Sequence, residues 1–207
     1  MPKRIACSVH IKGLSPEKFV LPPAKEYRVI QLIPGQIVTA EGAASSQQAA
    51  DLAANDLALL AVVERHHGSG RVGLGLLRGL GLKGGAIAAS ISHDSHHIIV
   101  AGIKPADMAA AVEVIAQMQG GLVAVADGKA IAQLPLPIAG LMSPEPLEPV
   151  AAKLEALEAA ARDLGVTADS PFMTLSFMAL PVIPALKLTD KGLFDVARFR
   201  PVTLELK

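Results

Sequence analysis

Ionisable side chains cluster at two places in the chain, and each cluster adjoins an apolar run. The first cluster follows the apolar stretch 57–63, and the second lies between the apolar stretches 86–91 and 98–100. Imidazole changes its charge near neutral pH, and a neighbouring carboxylate can orient it or stabilise its charged form. Acid–base chemistry or ligand binding is therefore expected from these side chains: Glu64, His66, His67, His93, Asp94 and His96.

The second cluster is predicted to lie on a β-hairpin. Its flanks alternate in polarity with the two-residue period of strands. If Asp94 and Ser95 form a two-residue turn, His93 and His96 become a directly opposed cross-strand pair at the open end of an apolar sheet face. In the alternative interpretation, the two imidazoles simply hydrogen-bond to neighbours at the rim of a sheet.

The composition is that of a globular protein without an electrostatic preference for polyanions. The 207 residues include 19 basic and 19 acidic side chains, and 51% of them are hydrophobic. This balance argues against nucleic acid or an anionic membrane as a partner. Cys7 is the single cysteine, which excludes a disulfide framework and a Cys-x-x-Cys zinc site, and we expect it to be a small apolar residue in a strand. A cytoplasmic protein is the expectation.

Hydrophobic periodicity predicts an α+β fold with a mixed, mostly antiparallel sheet and two main helices packed on one of its faces. Residues 1–207 are expected to form one domain with its core at about 5–196. The sequence predicts strands at 5–11, at 28–39 with a break at Pro34 and Gly35, and at 57–64, a hairpin over 122–134, and helices beginning at Pro105 and spanning 147–164. Residues 41–54 are predicted to be an exposed connection.

Two further segments have distinctive compositions. Leucines alternate with glycines over residues 72–82, so one face of this strand is nearly bare and would let another backbone or a ligand approach closely. The glycine spacing does not match a phosphate-binding loop. The apolar, proline-rich segment 171–184 is expected either to wrap the protein's own core or to offer a docking surface.

Five sequence blocks resemble the C-terminal domain of adenine deaminase, an enzyme of the amidohydrolase superfamily. They occur in that family's order, and the resemblance extends from about Ile5 to Val196. The blocks are residues 33–39 (IPGQIVT), 62–68 (VVERHHG), 92–96 (SHDSH), 134–143 (LPLPIAGLMS) and 169–177 (DSPFMTLSF).

The resemblance implies a domain that accompanies a metal-dependent barrel. In that family the barrel holds manganese or iron and converts adenine and water to hypoxanthine and ammonia. This sequence has no His-x-His metal signature and is too short for such a barrel beside the resembling domain. The manganese or iron is therefore expected in a barrel absent from this chain, and no metal ligand is assigned here. The expected partners are that barrel, adenine and further copies of the chain in a homo-oligomer.

Under this resemblance the domain completes the active site of the barrel and is inactive alone. The candidate catalytic contributors are then His93, Asp94 and His96. The candidate substrate-binding residues are Glu64, His66, His67 and Ser95. Two alternatives remain open: a stand-alone module in which the two clusters bind a metal or a purine, and a domain that serves only structure or oligomerisation.

Overall fold

An eight-stranded sheet with a three-stranded sheet beside it forms the framework of the computed structural model, which describes residues 6–206. The large sheet has the strand order β2-β1-β4-β3-β6-β5-β7-β8, in which β1 and β4 are parallel and the other described neighbours are antiparallel. Its strands are β1 Glu26–Leu32, β2 Thr39–Ser45, β3 Leu57–Val63, β4 Val72–Arg78, β5 Ala86–Ala89, β6 Ile98–Gly102, β7 Gly121–Ala126 and β8 Lys129–Pro135. The small sheet consists of β9 Leu186–Thr189, β10 Gly192–Asp195 and β11 Arg200–Pro201.

Residues 6–206 contain four α-helices with defined bounds and a 3₁₀ helix at Pro16–Phe19. The α-helices are α1 Ser46–Ala50, α2 Pro105–Gln117, α3 Leu147–Asp163 and α4 Pro171–Phe177. The α+β class and the mostly antiparallel mixed sheet are thus confirmed. Within residues 6–206, no helix combines the length and the apolar composition that crossing a membrane requires.

The two main helices lie on opposite faces of the sheet, so the prediction that they share one face was wrong. Met108 and Val112 of α2 pack with one buried cluster, and Leu157 and Ala161 of α3 pack with the other. All seven residues of β3 are buried, which means that its side chains are covered on both faces. A central strand of this kind requires packing layers on both sides of the sheet.

Both predicted helices form where the periodicity places them. Helix α2 has Pro105 in its first turn and buries Met108, Ala111, Val112 and Ile115. In α3 the buried residues all lie in the second half of the helix. Leu157 and Ala161 are buried, whereas Leu147 is 76% exposed. The hairpin of β7 and β8 is confirmed, with Asp127 and Gly128 at φ of 47° and 75° in its turn.

Several local predictions were wrong. Residues 7–11 belong to no strand, and Ile5 lies outside the described residues. Cys7 is exposed and in no strand, so it is not a core residue. The segment 41–54 is not merely a connection, because it contains most of edge strand β2 and all of α1. The Ser45 hydroxyl accepts from the Gln48 N–H and the Gln48 side chain accepts from the Ser45 N–H, which forms a capping box at α1.

The segment 171–184 mainly wraps the core, as one of its two interpretations predicted. It begins as helix α4, which buries Phe172 and Leu175, and Met178 beyond the helix is also buried. Met173 and Val182 remain 50% and 64% exposed. The prolines that exclude a regular strand are compatible with this helix because Pro171 lies in its first turn.

The bare face of β4 receives another backbone, as its alternating glycines predicted. A Cβ atom at Gly73 would lie 1.9 Å from the Thr189 carbonyl oxygen. A Cβ atom at Gly75 would lie 3.3 Å from Leu193 Cδ2. Glycine therefore allows the small sheet to lie directly on β4.

We expect Gly73→Ala to lower the free energy of unfolding by about 2 to 3 kcal/mol, because the new methyl group overlaps a backbone that cannot move without shifting the small sheet. Gly84→Ala is the matched control, since a Cβ atom there meets nothing within 4 Å. Urea denaturation of both variants measures the difference. Equal stabilities for the two variants would contradict close packing of the small sheet on β4.

Candidate functional site

Arg65, two positions beyond the end of β3, holds together three segments at one end of the sheet. Its side chain is 1% exposed and its guanidinium donates to the carbonyls of His96, Ser8 and Ala139. The distances are 3.1 Å from Nη1 to the Ser8 carbonyl and 3.1 Å from Nη2 to the Ala139 carbonyl. Burial lowers the pKa of Arg65 to about 10, so the side chain remains cationic at neutral pH.

The two ionisable clusters meet at this end of the sheet. The His66 Nε2 atom lies 2.7 Å from the Ser95 carbonyl oxygen. The rings of His93 and His96 lie 5.6 Å apart, centroid to centroid. Because β3 and β6 are sheet neighbours, the loop after β3 and the loop before β6 are brought side by side. The two clusters therefore meet, as the binding-module alternative required, although His66 and Ser95 are 29 positions apart in the chain.

The local geometry differs from the predicted hairpin. Pairing of β5 with β6 ends at Ala89 and Ile99, and residues 90–97 form a loop rather than a two-residue turn. His93 and His96 are thus not a cross-strand pair, although their rings are in contact. His96 adopts a φ of 49°, which is uncommon for a residue with a side chain and changes the direction of the chain. Asp-Ser does not favour a tight hairpin turn, which accounts for the longer loop.

Glu64 has a carboxylate directed into its own turn. The side chain is 1% exposed and accepts hydrogen bonds from the backbone N–H groups of His66, His67 and Ser69 and from the Ser69 hydroxyl. Burial alone would raise the pKa of this carboxyl, but the four hydrogen bonds outweigh it and lower the pKa to about 2. Glu64 therefore shapes the turn that presents His66 and His67, both of which are exposed.

A further interaction at the site was not predicted from the sequence. Asp190, in the turn between β9 and β10, accepts from Arg71 Nε at 2.8 Å. Its other oxygen lies 3.7 Å from His97 Nε2. The ring of His97 in turn lies 4.9 Å from that of His66. Asp190 thereby links the small sheet to the histidine cluster.

These residues lacked individual sequence signals. Asp190 lies outside both polar clusters, and its approach depends on the packing of the small sheet. Arg65 and His97 lie inside the polar clusters. Their burial could have been predicted only from their position next to apolar strands.

The second loop borders an open cleft. His93 is half-buried, and its ring lies 5.1 Å from that of Phe177 on α4. Asp94 and Ser95 are exposed and line a cleft of about 680 Å³, whose lining also includes Val182, Phe194 and Phe199. The candidate residues thus face solvent at the edge of a partly apolar cleft.

The arrangement does not fit a metal site. Within residues 6–206, no three His, Cys, Asp or Glu side chains lie close enough together to hold an ion. The Glu64 oxygens already accept from their own turn, and one ring nitrogen each of His66, His96 and His97 is in a hydrogen bond with the protein. No step through manganese or iron is therefore assigned to this chain.

Comparison with known proteins places the chain in a family. Residues 36–200 match the family described as the adenine deaminase C-terminal domain. The chain is 48% identical over 207 residues to an adenine deaminase of Desulfatibacillum aliphaticivorans, covering 98% of this chain and 36% of that protein. It is 48% identical over 205 residues to adenine deaminase 2 of Carboxydothermus hydrogenoformans, covering 96% of this chain and 36% of that protein.

A third relative matches this chain with a similar identity and coverage. The chain is 48% identical over 198 residues to an adenine deaminase of Petrotoga mobilis, covering 94% of this chain and 35% of that protein. The chain thus spans about a third of the length of these curated relatives. It belongs to the family of adenine deaminase C-terminal domains.

Proposed function

We propose that this domain packs on the metal-dependent barrel of an adenine deaminase and supplies the loops 64–71 and 90–97 to the mouth of its active site. The reaction of the assembled enzyme is the conversion of adenine and water to hypoxanthine and ammonia. The observation that carries this proposal is the position of Ser8, whose carbonyl and hydroxyl both accept from Arg65. In a protein that ends with this domain, the preceding portion approaches through this segment, beside both histidine loops.

The exposed side chains of these loops suit an active-site rim. His66, His67, Asp94 and Ser95 face solvent, while Glu64 holds the backbone of the first loop and Arg65 holds that of the second. Loops fixed in this way can exclude water from a neighbouring site and orient a bound base through hydrogen bonds. The family's manganese or iron belongs, in this proposal, to the barrel. The domain contributes binding and positioning groups and is inactive alone.

We further propose that the assembled enzyme acts in the cytoplasm as a homo-oligomer. The single cysteine is compatible with a reducing compartment. Val182 and Phe199, which are 64% and 76% exposed at the cleft, offer apolar area for contacts with another subunit or with the barrel. Sedimentation of the assembled enzyme measures its subunit number.

The proposed function is tested by a spectrophotometric assay of adenine conversion with manganese or ferrous ion. The purified chain is assayed alone, and then mixed with a separately produced barrel portion of the Desulfatibacillum relative. We expect activity in the mixture that exceeds the sum of the separate components. Turnover by this chain alone would overturn the assignment of the catalytic metals to the barrel. No gain in the mixture would favour a structural or binding module.

We expect His93→Ala to lower turnover in the active mixture by on the order of 10-fold or more, because an ionisable group is removed from the active-site rim. The amount of soluble protein should stay unchanged, since His93 is only half-buried. Gln117→Ala, on an exposed position of α2, is the control and should match the wild type. A fall in soluble yield at unchanged turnover per mole would instead assign His93 a structural role.

A further inference from the structure

The cleft of about 680 Å³ beside loop 90–97 is bounded by turns that are fixed by their own hydrogen bonds. In the turn between β9 and β10, the Thr189 hydroxyl donates to the Gly192 carbonyl at 3.0 Å and accepts from the Lys191 N–H at 3.1 Å. In the turn between β10 and β11, the Asp195 carboxylate accepts from the Arg198 N–H at 2.9 Å. The cleft is therefore preformed, and filling it requires little additional ordering of the domain.

Two large apolar side chains at this cleft are exposed to solvent. Phe199 is 76% exposed and adopts a φ of 49°, which is uncommon for a residue with a bulky side chain. Its ring packs edge-on against Phe194, with the centroids 5.3 Å apart. Val182, which lines the same cleft, is 64% exposed. Exposed apolar groups that gather in one concave surface, rather than occurring singly, are typical of a surface that binds another polypeptide.

The cleft also has a polar edge with one free charge. Asp94 is exposed there, and its carboxylate has no hydrogen bond or ion pair with another side chain within residues 6–206. Asp190 at the same cleft is already paired with Arg71. A polypeptide that fills the cleft therefore meets apolar groups beside a free carboxylate, which suits a segment with a large apolar side chain next to a cation or an N–H donor.

A preceding portion of polypeptide would reach the domain close to this cleft. The matched family is a C-terminal domain and the chain covers 36% of the Desulfatibacillum relative, so most of that relative precedes the matched region. The Ser8 carbonyl accepts from Arg65 Nη1, and Nε of the same guanidinium donates to the His96 carbonyl. Asp94 and Ser95, which line the cleft, come directly before His96. The entering chain and the cleft are therefore linked through one guanidinium.

We propose that the cleft binds a segment of this preceding portion, which packs a large apolar side chain against Val182 and Phe199 and directs a cation or N–H donor to Asp94. Since both partners belong to one polypeptide in the relatives, the contact forms at a high effective concentration. A second copy of the domain would instead set the same concave surface against itself across a two-fold axis. The inference rests on the proposed function in one respect, namely that the preceding portion packs on this domain.

The first test is photocrosslinking in a full-length protein that joins this chain to the preceding portion of the Desulfatibacillum relative. The photoreactive residue p-benzoylphenylalanine replaces Val182, Phe199 or, as the control, Val20. Val20 is a valine of similar exposure, at 56%, but it lines a different cleft together with Ile103. Ile103 directly follows β6, whereas loop 90–97 directly precedes β6, so the control lies at the other end of this strand.

Mass spectrometry of the digested products identifies the peptides that are joined. We expect the probes at Val182 and Phe199 to crosslink to peptides of the preceding portion within the same polypeptide, at a yield well above that from Val20. Crosslinks between two copies of this domain, in products of doubled mass, would overturn the proposal and assign the cleft to a contact between copies. Yields no higher than that of the control would also overturn it.

The second test is amide hydrogen exchange, which needs no added probe. The amides of residues 179–182 and 189–201 should exchange about 10-fold or more slowly in the joined protein than in this chain alone, because the segment covers them. Val182→Asp places a charge against the apolar part of the segment and should remove most of this added protection. Val20→Asp is the matched control and should leave it unchanged. Equal exchange in the joined protein and in this chain would overturn the proposal.

The two tests separate the docking contact from the proposed function. An inactive joined protein that still forms both crosslinks would refute the proposed reaction and leave the docking contact in place. An active joined protein without crosslinks from Val182 and Phe199 would refute the docking contact and leave the proposed function in place. A joined protein that lacks both activity and crosslinks would refute both.

Discussion

Replacing Arg65 with methionine is expected to lower the free energy of unfolding by about 3 to 5 kcal/mol, the largest effect of any single substitution at the site. Methionine retains the apolar stem but leaves the carbonyls of Ser8, His96 and Ala139 without their donor in a partly buried location. Each buried acceptor left unpaired costs about 1 to 3 kcal/mol. Urea denaturation measures the loss, and amide hydrogen exchange should show reduced protection in the loops 64–71 and 90–97.

Gly140 provides a second way to test the same contact. A Cβ atom at Gly140 would lie 2.6 Å from Arg65 Nη1, so Gly140→Ala collides with the guanidinium in addition to straining a residue at a φ of 74°. We expect Gly140→Ala to lower the free energy of unfolding less in the Arg65→Met variant than in the wild type. In that variant the guanidinium is absent, so only the backbone strain remains. A double-mutant cycle with a coupling energy near zero would contradict the packing of Gly140 on Arg65.

The sequence predicted those elements whose determinants are local. Apolar periodicity is sufficient to predict β3, α2 and the hairpin of β7 and β8, because the residues within each of these elements specify it. Edge strand β2 was missed because its alanines and serines lack an apolar pattern, and its pairing with β1 stabilises it instead. The small sheet was missed for a different reason, since β9 and β10 have only four residues each and pack against β4, which is distant in the chain.

The candidate site was predictable in composition but not in geometry. The sequence identified two polar clusters after apolar runs, and only the binding-module alternative brought them together, as the contact between His66 and Ser95 does. The sequence could not show that Glu64 faces its own turn, because that depends on three backbone N–H groups converging on one carboxylate. It also could not show the approach of Asp190, which is set by packing between residues that are far apart in the chain.

Glu64→Gln is expected to lower the free energy of unfolding at pH 7 by about 2 to 4 kcal/mol, because an amide replaces one of two accepting oxygens and places its NH₂ group against the Ser69 donors. The substitution keeps the shape of the side chain and removes its charge. Glu113→Gln, which removes a charge from the exposed face of α2, is the matched control and should change stability by less than about 0.5 kcal/mol. Similar losses for both variants would show that the turn does not depend on the Glu64 carboxylate.

The difference in the free energy of unfolding between the wild type and Glu64→Gln should also depend on pH, in a direction that the pKa of Glu64 determines. The folded-state pKa is lowered to about 2 from the ordinary 4.5. The carboxylate therefore stabilises the fold fully above about pH 4.5, and this contribution is lost as the pH falls from about 4.5 towards 2. As the pH falls from 6 to 3, this difference in the free energy of unfolding should decrease by about 2 kcal/mol. Urea denaturation across this range measures it, and a constant difference between wild type and variant would mean that the folded turn does not favour the ionised carboxylate.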